Sequence, residues 1–152
     1  IILGTRGGQS IRFRESQVRP MGRNAAGVRA IRLKSDDRVA GFAILSEEAA
    51  KGKTAMFLSV MEHGFAKQTP LKEYKIQNRG GSGIKAAQIT AKTGPLVYTR
   101  AVTEETQLFA LSAKGQVIRT DLKSVRTTGR AAQGVRIMTL RPGDRIAGVV
   151  II

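Results

Sequence analysis

The chain has 152 residues, enough to bury the core of one domain. It contains no cysteine, which excludes disulfides and thiolate metal sites, and its longest apolar run, Ile146 to Ile152, is far too short to cross a membrane as a helix. Lysine and arginine number 26 against 11 acidic residues, a net charge of +15. Solubility needs a net charge of only about 2–8, so a polyanion partner is expected: DNA, RNA or an anionic membrane face.

The first residue is isoleucine and no charged stretch precedes an apolar one, so no signal peptide is expected. Both ends lie in apolar segments, Ile1-Ile2-Leu3 and Val149 to Ile152, as in a piece of a longer protein. The first predicted unit is a strand, a turn at Gly8 in "RGGQS" and a second strand. A polar loop, an apolar strand over Val28 to Leu33 and a fourth strand in "SDDRVAGFAIL" follow. The connector "SEEAAKGK" reads as an insertion. The second unit repeats the hairpin as "AMFLSVMEHGFAKQTPL", predicts its third strand over Ile84 to Ile89, and turns at Gly94-Pro95 into a fourth. The third gives "LFALSAKGQVIRTDL", a strand over Val135 to Leu140 and "PGDRIAGVVII". No segment keeps a helical apolar period, and only "ESQV", "LKEY" and "LKSV" are short helical turns in prospect.

These are three copies of one unit. From the turn glycines Gly8, Gly64 and Gly115, a second glycine follows each time after nineteen residues, at Gly27, Gly83 and Gly134. The boundaries fall at about 1–46, 53–103 and 106–152, within a single domain over 1–152. Four short strands per unit fit a propeller blade better than a sandwich. The fold expected is all-β: three four-stranded blades, part of a larger ring.

Basic residues recur in the same frame. Eleven residues after the turn glycine stand Arg19, Lys75 and Arg126; after fifteen, Arg23, Arg79 and Arg130; after twenty-one, Arg29, Lys85 and Arg136. With 26 basic residues in 152, three such triples point to a repeated task. Blades around an axis would carry these cations along the perimeter, a curved stripe that duplex DNA can follow through its phosphates. Arg12, Lys72, Arg119 and Lys123 add to the stripe, and the glycines Gly27, Gly80, Gly81, Gly83 and Gly134 let backbone N–H groups approach phosphate. Base-specific readout is not expected, because aromatics are 5% of the chain and no helix is available for the major groove. Phe57, Phe65 and Phe109 are expected in the core.

Catalysis has no foothold in these residues. His63, the single histidine, sits in a hairpin turn with no second ligand for a metal. The pairs Asp36-Asp37, Glu47-Glu48 and Glu104-Glu105 fall in connectors, where Asp37, like Asp144, reads as a turn former and the glutamates as solvated linkers. "GRAAQG" lacks the Lys-Ser/Thr of a phosphate-binding loop. No catalytic residue, metal or cofactor is therefore expected.

The units "IRFRESQVRPMGRNAAGVRAIRL" and "GRAAQGVRIMTL…PGDRIAGVV" resemble the C-terminal domain of the DNA gyrase A protein, over essentially the whole chain. A related domain occurs in topoisomerase IV. The resemblance implies a β-pinwheel, a propeller of about six blades that exchange strands, of which these would be the last three. It also implies a function: wrapping DNA in a type IIA topoisomerase, so that ATP-driven strand passage introduces negative supercoils. ATP and magnesium would bind elsewhere in that holoenzyme, whose partners are double-stranded DNA, the gyrase B protein and the rest of the gyrase A protein. A cytoplasmic, nucleoid-associated location and no membrane partner follow. The catalytic tyrosine of the family has no counterpart here; Tyr74 occupies an apolar position of the repeat, shared with Val18 and Val125. Of the family's Gln-Arg-Arg-Gly-Gly-Lys-Gly box, "QNRGGSG" keeps Gln77, Arg79, Gly80, Gly81 and Gly83, with Asn78 and Ser82 replacing two basic residues, and it lies in the middle unit, not the first. Three other readings stay open: the equivalent domain of topoisomerase IV, a basic RNA-binding β-repeat protein, and a protein-interaction propeller whose charge is incidental. Exposed strand edges at both ends also invite self-association.

Overall fold

In the computed structural model, which describes residues 1–52 and 54–152, the chain folds into three antiparallel sheets. Residue 53, the expected start of the second repeat, lies outside the described residues. The strands are β1 (Ile2–Thr5), β2 (Gln9–Arg12), β3 (Val39–Ala43), β4 (Met56–Met61), β5 (Phe65–Pro70), β6 (Ile84–Lys85), β7 (Leu96–Val102), β8 (Gln107–Ser112), β9 (Val117–Asp121), β10 (Val135–Arg136) and β11 (Ile146–Ile151). The sheets run β3-β1-β2-β6, β10-β5-β4-β7 and β11-β8-β9. The all-β propeller reading holds.

Each unit is built on its hairpin. The turn closes through the N–H of Gly8, Gly64 or Gly115 donating to the carbonyl of Thr5, Met61 or Ser112, and each of these glycines has φ near +80°, the left-handed region that favours glycine. Asp37 and Asp144 are turn formers as expected. The Asp37 carboxylate accepts from the Thr5 hydroxyl (2.6 Å) and the N–H groups of Gly7 and Arg38; that of Asp144 accepts from Ser112 (2.6 Å), Lys114 and Arg145. Burial alone would raise the Asp144 carboxyl, but the Ser112 hydroxyl and the two N–H groups outweigh it and hold it below the ordinary range. The turns "ESQV", "LKEY" and "LKSV" are single 3-10 turns, Glu15–Gln17, Leu71–Glu73 and Leu122–Ser124.

The expected third strands are where the structure corrects the sequence reading. Ile84 to Ile89 and Val135 to Leu140 pair over two residues only, and they pair backwards: β6 joins β2 of the first unit, and β10 joins β5 of the second. Val28 to Leu33 forms no strand with any of the described residues. By the same rule the third sheet has three strands, because its own third segment has been given to the middle blade. This is the strand exchange implied by the resemblance. A second difference is α1 (Glu47–Lys51), in the connector read as a linker. The Ser46 hydroxyl caps it by accepting from the Ala49 N–H, and Lys51 pairs with Glu47 one turn away.

Packing follows the order of the blades. The middle hairpin is covered on both faces, so β4 and β5 are buried almost throughout, including Phe57, Leu58, Val60 and Ala66 at 0% exposure. Tyr74 is buried with its ring edge-on to Phe57, centroids 5.1 Å apart, and burial pushes its phenol up to about 12. Leu58, Val60, Leu108, Ala110 and Val125 join the second and third sheets in one core. At the open end, β9 alternates exposed and half-buried positions, and Phe109 is half-buried rather than core, under the Arg119 guanidinium at 5.8 Å.

Candidate nucleic-acid interface

In the second and third units the loop that carries the recurrent cations starts after the 3-10 turn and ends in the donated strand, so its position depends on the preceding blade. Two glycines make that possible. Gly83 and Gly134 have φ of +73° and +85°, and a Cβ on them would lie 2.4 Å from the Ser10 carbonyl oxygen and 2.5 Å from that of Ala66. Any side chain there would push the donated strand off its acceptor.

Between these anchors the second and third loops are each fastened to the unit before by an arginine at the same place in the repeat. The Arg79 N–H donates to Gln17 Oε1 (2.7 Å), its Nε to the Gln17 carbonyl (3.1 Å) and its Nη1 to the Arg29 carbonyl (2.6 Å). One blade on, the Arg130 N–H donates to Glu73 Oε2 (3.3 Å) and its Nη1 to the Lys85 carbonyl (3.0 Å). Gln17 and Glu73 are equivalent residues of their units, as are Arg29 and Lys85. Arg79 and Arg130 are thus clamps between blades, which accounts for part of the recurrence at the fifteenth position without any ligand, whereas Arg23 is exposed. The clamps also have a consequence for the charges: the basic loop of one blade touches the basic loop of the next, Arg29 to Arg79 and Lys85 to Arg130, in one continuous strip.

The other predicted residues divide cleanly. Arg19, Lys75, Arg126, Arg29, Lys85 and Arg136 are exposed, as are Arg23, Lys72, Arg119 and Lys123. Arg136 stacks over the Phe65 ring at 5.3 Å, which orients its guanidinium without neutralising it. Gly80 and Gly81 are half-buried in the middle loop, where the Gly80 N–H donates to the Ala30 carbonyl; Gly27 is exposed. Arg12 is the correction. It is buried, and its guanidinium donates to the carbonyls of Leu71 and Tyr74 (both 3.2 Å) and Ala50 (3.1 Å), so it locks two units together and does not face a ligand. Among the described residues the two ion pairs are Arg6–Glu62 and Lys51–Glu47, so none of the predicted DNA-binding cations is neutralised by a carboxylate within 4.0 Å.

One contributor escaped the sequence reading. Lys67 is buried, and its Nζ donates to the carbonyls of Gly129 (2.9 Å) and Arg130 (2.5 Å), holding the loop "GRAAQG" from below. Burial, opposed by Glu73 and reinforced by Arg130 and Lys85, lowers its ammonium to about 8. The signal was present: Lys67 stands where the other units have Ile11 and Ile118. His63 is exposed in its turn, Nδ1 lying 3.1 Å from the Ala91 carbonyl oxygen.

Repeated hairpins whose third strands cross to the preceding sheet define a β-propeller of the strand-exchanging class, with its basic loops on successive blades. Solved structures share this architecture: a DNA gyrase A C-terminal domain superposes with a TM-score of 0.82 at 23% identity, over 99% of this chain and 49% of that one. The C-terminal domain of a DNA topoisomerase IV superposes at 0.89 with 19% identity, over 99% and 46%. The family described as "DNA gyrase C-terminal domain, beta-propeller" matches residues 1–46, 62–102 and 106–152, and the chain belongs to it. The DNA gyrase A protein of Staphylococcus epidermidis is 42% identical over 149 residues, which is 98% of this chain and 16% of that protein. The chain thus spans about one-sixth of the length of that relative.

Proposed function

We propose that the chain binds duplex DNA through its phosphates and bends it along the strip of basic loops. In this reading it is the wrapping domain of a type IIA topoisomerase of the gyrase kind, acting in the cytoplasm with the gyrase B protein and the rest of the gyrase A protein to introduce negative supercoils. The observation that carries the reading is the chain of contacts from Arg29 to Arg79 and from Lys85 to Arg130. It links the loops that carry the three cation sets, and none of those cations is in an ion pair within 4.0 Å among the described residues. Bending a 20–30 bp duplex by 40–90° costs on the order of 1–6 kcal/mol, which the release of counterions from several phosphates offsets. The net charge of +15 supports a polyanionic partner, and family membership supports DNA over RNA.

The test is a binding titration of labelled duplexes of unrelated sequence, with structured RNA of equal length as competitor. Duplexes are expected to bind alike and RNA to compete poorly. Charge reversal at Arg19, Lys75 and Arg126, which are exposed and clear of the clamps, is expected to abolish binding. Unchanged affinity in that variant contradicts the proposal, and preferential binding of RNA assigns the surface to the other polyanion.

A further inference from the structure

The joint between the first and second sheets and the joint between the second and third share one plan but not one chemistry. In the later joint, Val60 pairs with Ala66 and Tyr98 in one sheet, and Ala110 pairs with Ile118 and Val149 in the other, so each trio is a row across its sheet. The two rows meet in a single core, and every member is apolar or aromatic. One blade earlier, the positions equivalent to Val60, Ala66 and Tyr98 are Gly4, Ser10 and Gly41. Those equivalent to Ala110, Ile118 and Val149 are Ser59, Lys67 and Thr99. Every place in the two rows is polar or without a side chain.

The rows of the first joint face each other at close range. A Cβ on Gly4 would lie 2.7 Å from Thr99 Cγ2, and one on Gly41 2.6 Å from the Thr99 carbonyl oxygen. Ser10, Ser59, Lys67 and Thr99 are buried, yet the hydroxyls of Ser10, Ser59 and Thr99 have no hydrogen-bond partner among the described residues. A buried hydroxyl left unpaired has given up water for nothing. Arg12 and Lys67 lie in the same joint, bonded to carbonyls but with no carboxylate within 4.0 Å. Apolar contact flanks the row, through Ile2, Phe57 and Tyr74 on one side and through Met61, Phe65, Leu96 and Ala40 on the other. The Arg6–Glu62 pair also spans the joint, but it is part-exposed at 3.6 Å and adds little. Along the row, parting the first and second sheets gives water back to hydroxyls and cations, whereas parting the second and third exposes hydrocarbon.

We infer that the first joint is a hinge: the first sheet swings against the second at the row of Ser10, Ser59, Lys67 and Thr99, while the second and third sheets move together. The basic loops divide in the same way. Arg79 fastens the middle loop to the first unit, and Lys67 holds the third loop to the second sheet. The bond from Arg130 Nη1 to the Lys85 carbonyl crosses the hinge, so the basic strip changes its curvature between the middle and third loops. What that change does for bound DNA rests on the function proposed above; the hinge itself does not.

Two equivalent amides report on the two joints. The Leu96 N–H donates to the Arg6 carbonyl across the first (3.0 Å), and the Ile146 N–H to the Glu62 carbonyl across the second (2.8 Å). Hydrogen exchange is measured on the intact protein without DNA, resolved to single amides by mass spectrometry and corrected for intrinsic rates. Leu96 is expected to exchange at least about tenfold faster than Ile146. Replacing the hydroxyls by hydrocarbon, Ser10→Ala with Ser59→Ala and Thr99→Val, is expected to slow Leu96 by about tenfold or more and to leave Ile146 unchanged. If that triple variant does not fold, Thr99→Val alone, which keeps the shape of the side chain, is expected to act in the same direction. Conversely, Ala110→Ser puts an unpaired hydroxyl into the second joint and quickens Ile146. Equal exchange at the two amides of the unsubstituted protein, or variants that change both amides together or neither, overturns the hinge. The salt dependence of DNA binding is a separate reading, so failure of the hinge and failure of the binding proposal are told apart.

Discussion

Arg12, Arg119 and Lys67 illustrate what one sequence can and cannot say about a basic side chain. Arg12 and Arg119 stand at the same place in their repeats, yet one is buried against three carbonyls and the other is exposed. The difference lies in whether another unit follows alongside, which composition does not record. Lys67 was hidden for the opposite reason. A cation in a strand normally faces water, and this one is held by two carbonyls contributed by the next unit. Its titration has a defined sign. Below about pH 8 both the folded and unfolded chains carry the proton, so the cost of burying the charge is fully present. Between pH 8 and the ordinary lysine value of 10.5 only the unfolded chain binds it, so this group adds stability as pH rises. Relative to Lys67→Met, the unsubstituted chain is expected to gain on the order of 1–2 kcal/mol from about pH 7.5 to about pH 9.5, measured by denaturant unfolding. Parallel pH profiles would show that the ammonium is not desolvated in this way.

At the scale of elements, the hairpins were legible because turn glycines and alternating apolar residues are local signals. The donated strands were not, since β6 and β10 are two residues long and their partners belong to the preceding repeat. What the sequence did record was the nineteen-residue glycine spacing, whose structural meaning is the approach of Gly83 and Gly134 to an acceptor carbonyl. Substituting alanine separates the two requirements on this position. Gly27→Ala meets only the left-handed strain, about 1–2 kcal/mol, because space around it is open. Gly134→Ala adds a backbone collision 2.5 Å from the Ala66 carbonyl oxygen and unseats β10, so its loss is expected to exceed that of Gly27→Ala by at least about 1 kcal/mol in unfolding midpoints. Equal losses would mean that β10 contributes nothing to holding the blades together.

For the whole molecule, the repeat and the charge pattern were enough to anticipate blades carrying basic loops, while the clamps that make those loops continuous emerged only from the fold. Arg79 and Arg130 show that recurrence of charge can serve architecture. In the proposed reading, the exposed cations at the eleventh and twenty-first positions, whose side chains make no clamp, are the ones to test for DNA contact. The measurement that bears most directly on the continuous strip is the salt dependence of duplex binding in three paired neutralisations: Arg19 with Arg29, Lys75 with Lys85, and Arg126 with Arg136, each to alanine. Each phosphate contact contributes about 0.9 to the log–log slope, so every pair is expected to flatten it by up to about 1.8, by the same amount whichever blade is changed. A slope that none of the pairs alters, or that only one blade controls, would contradict a shared curved surface.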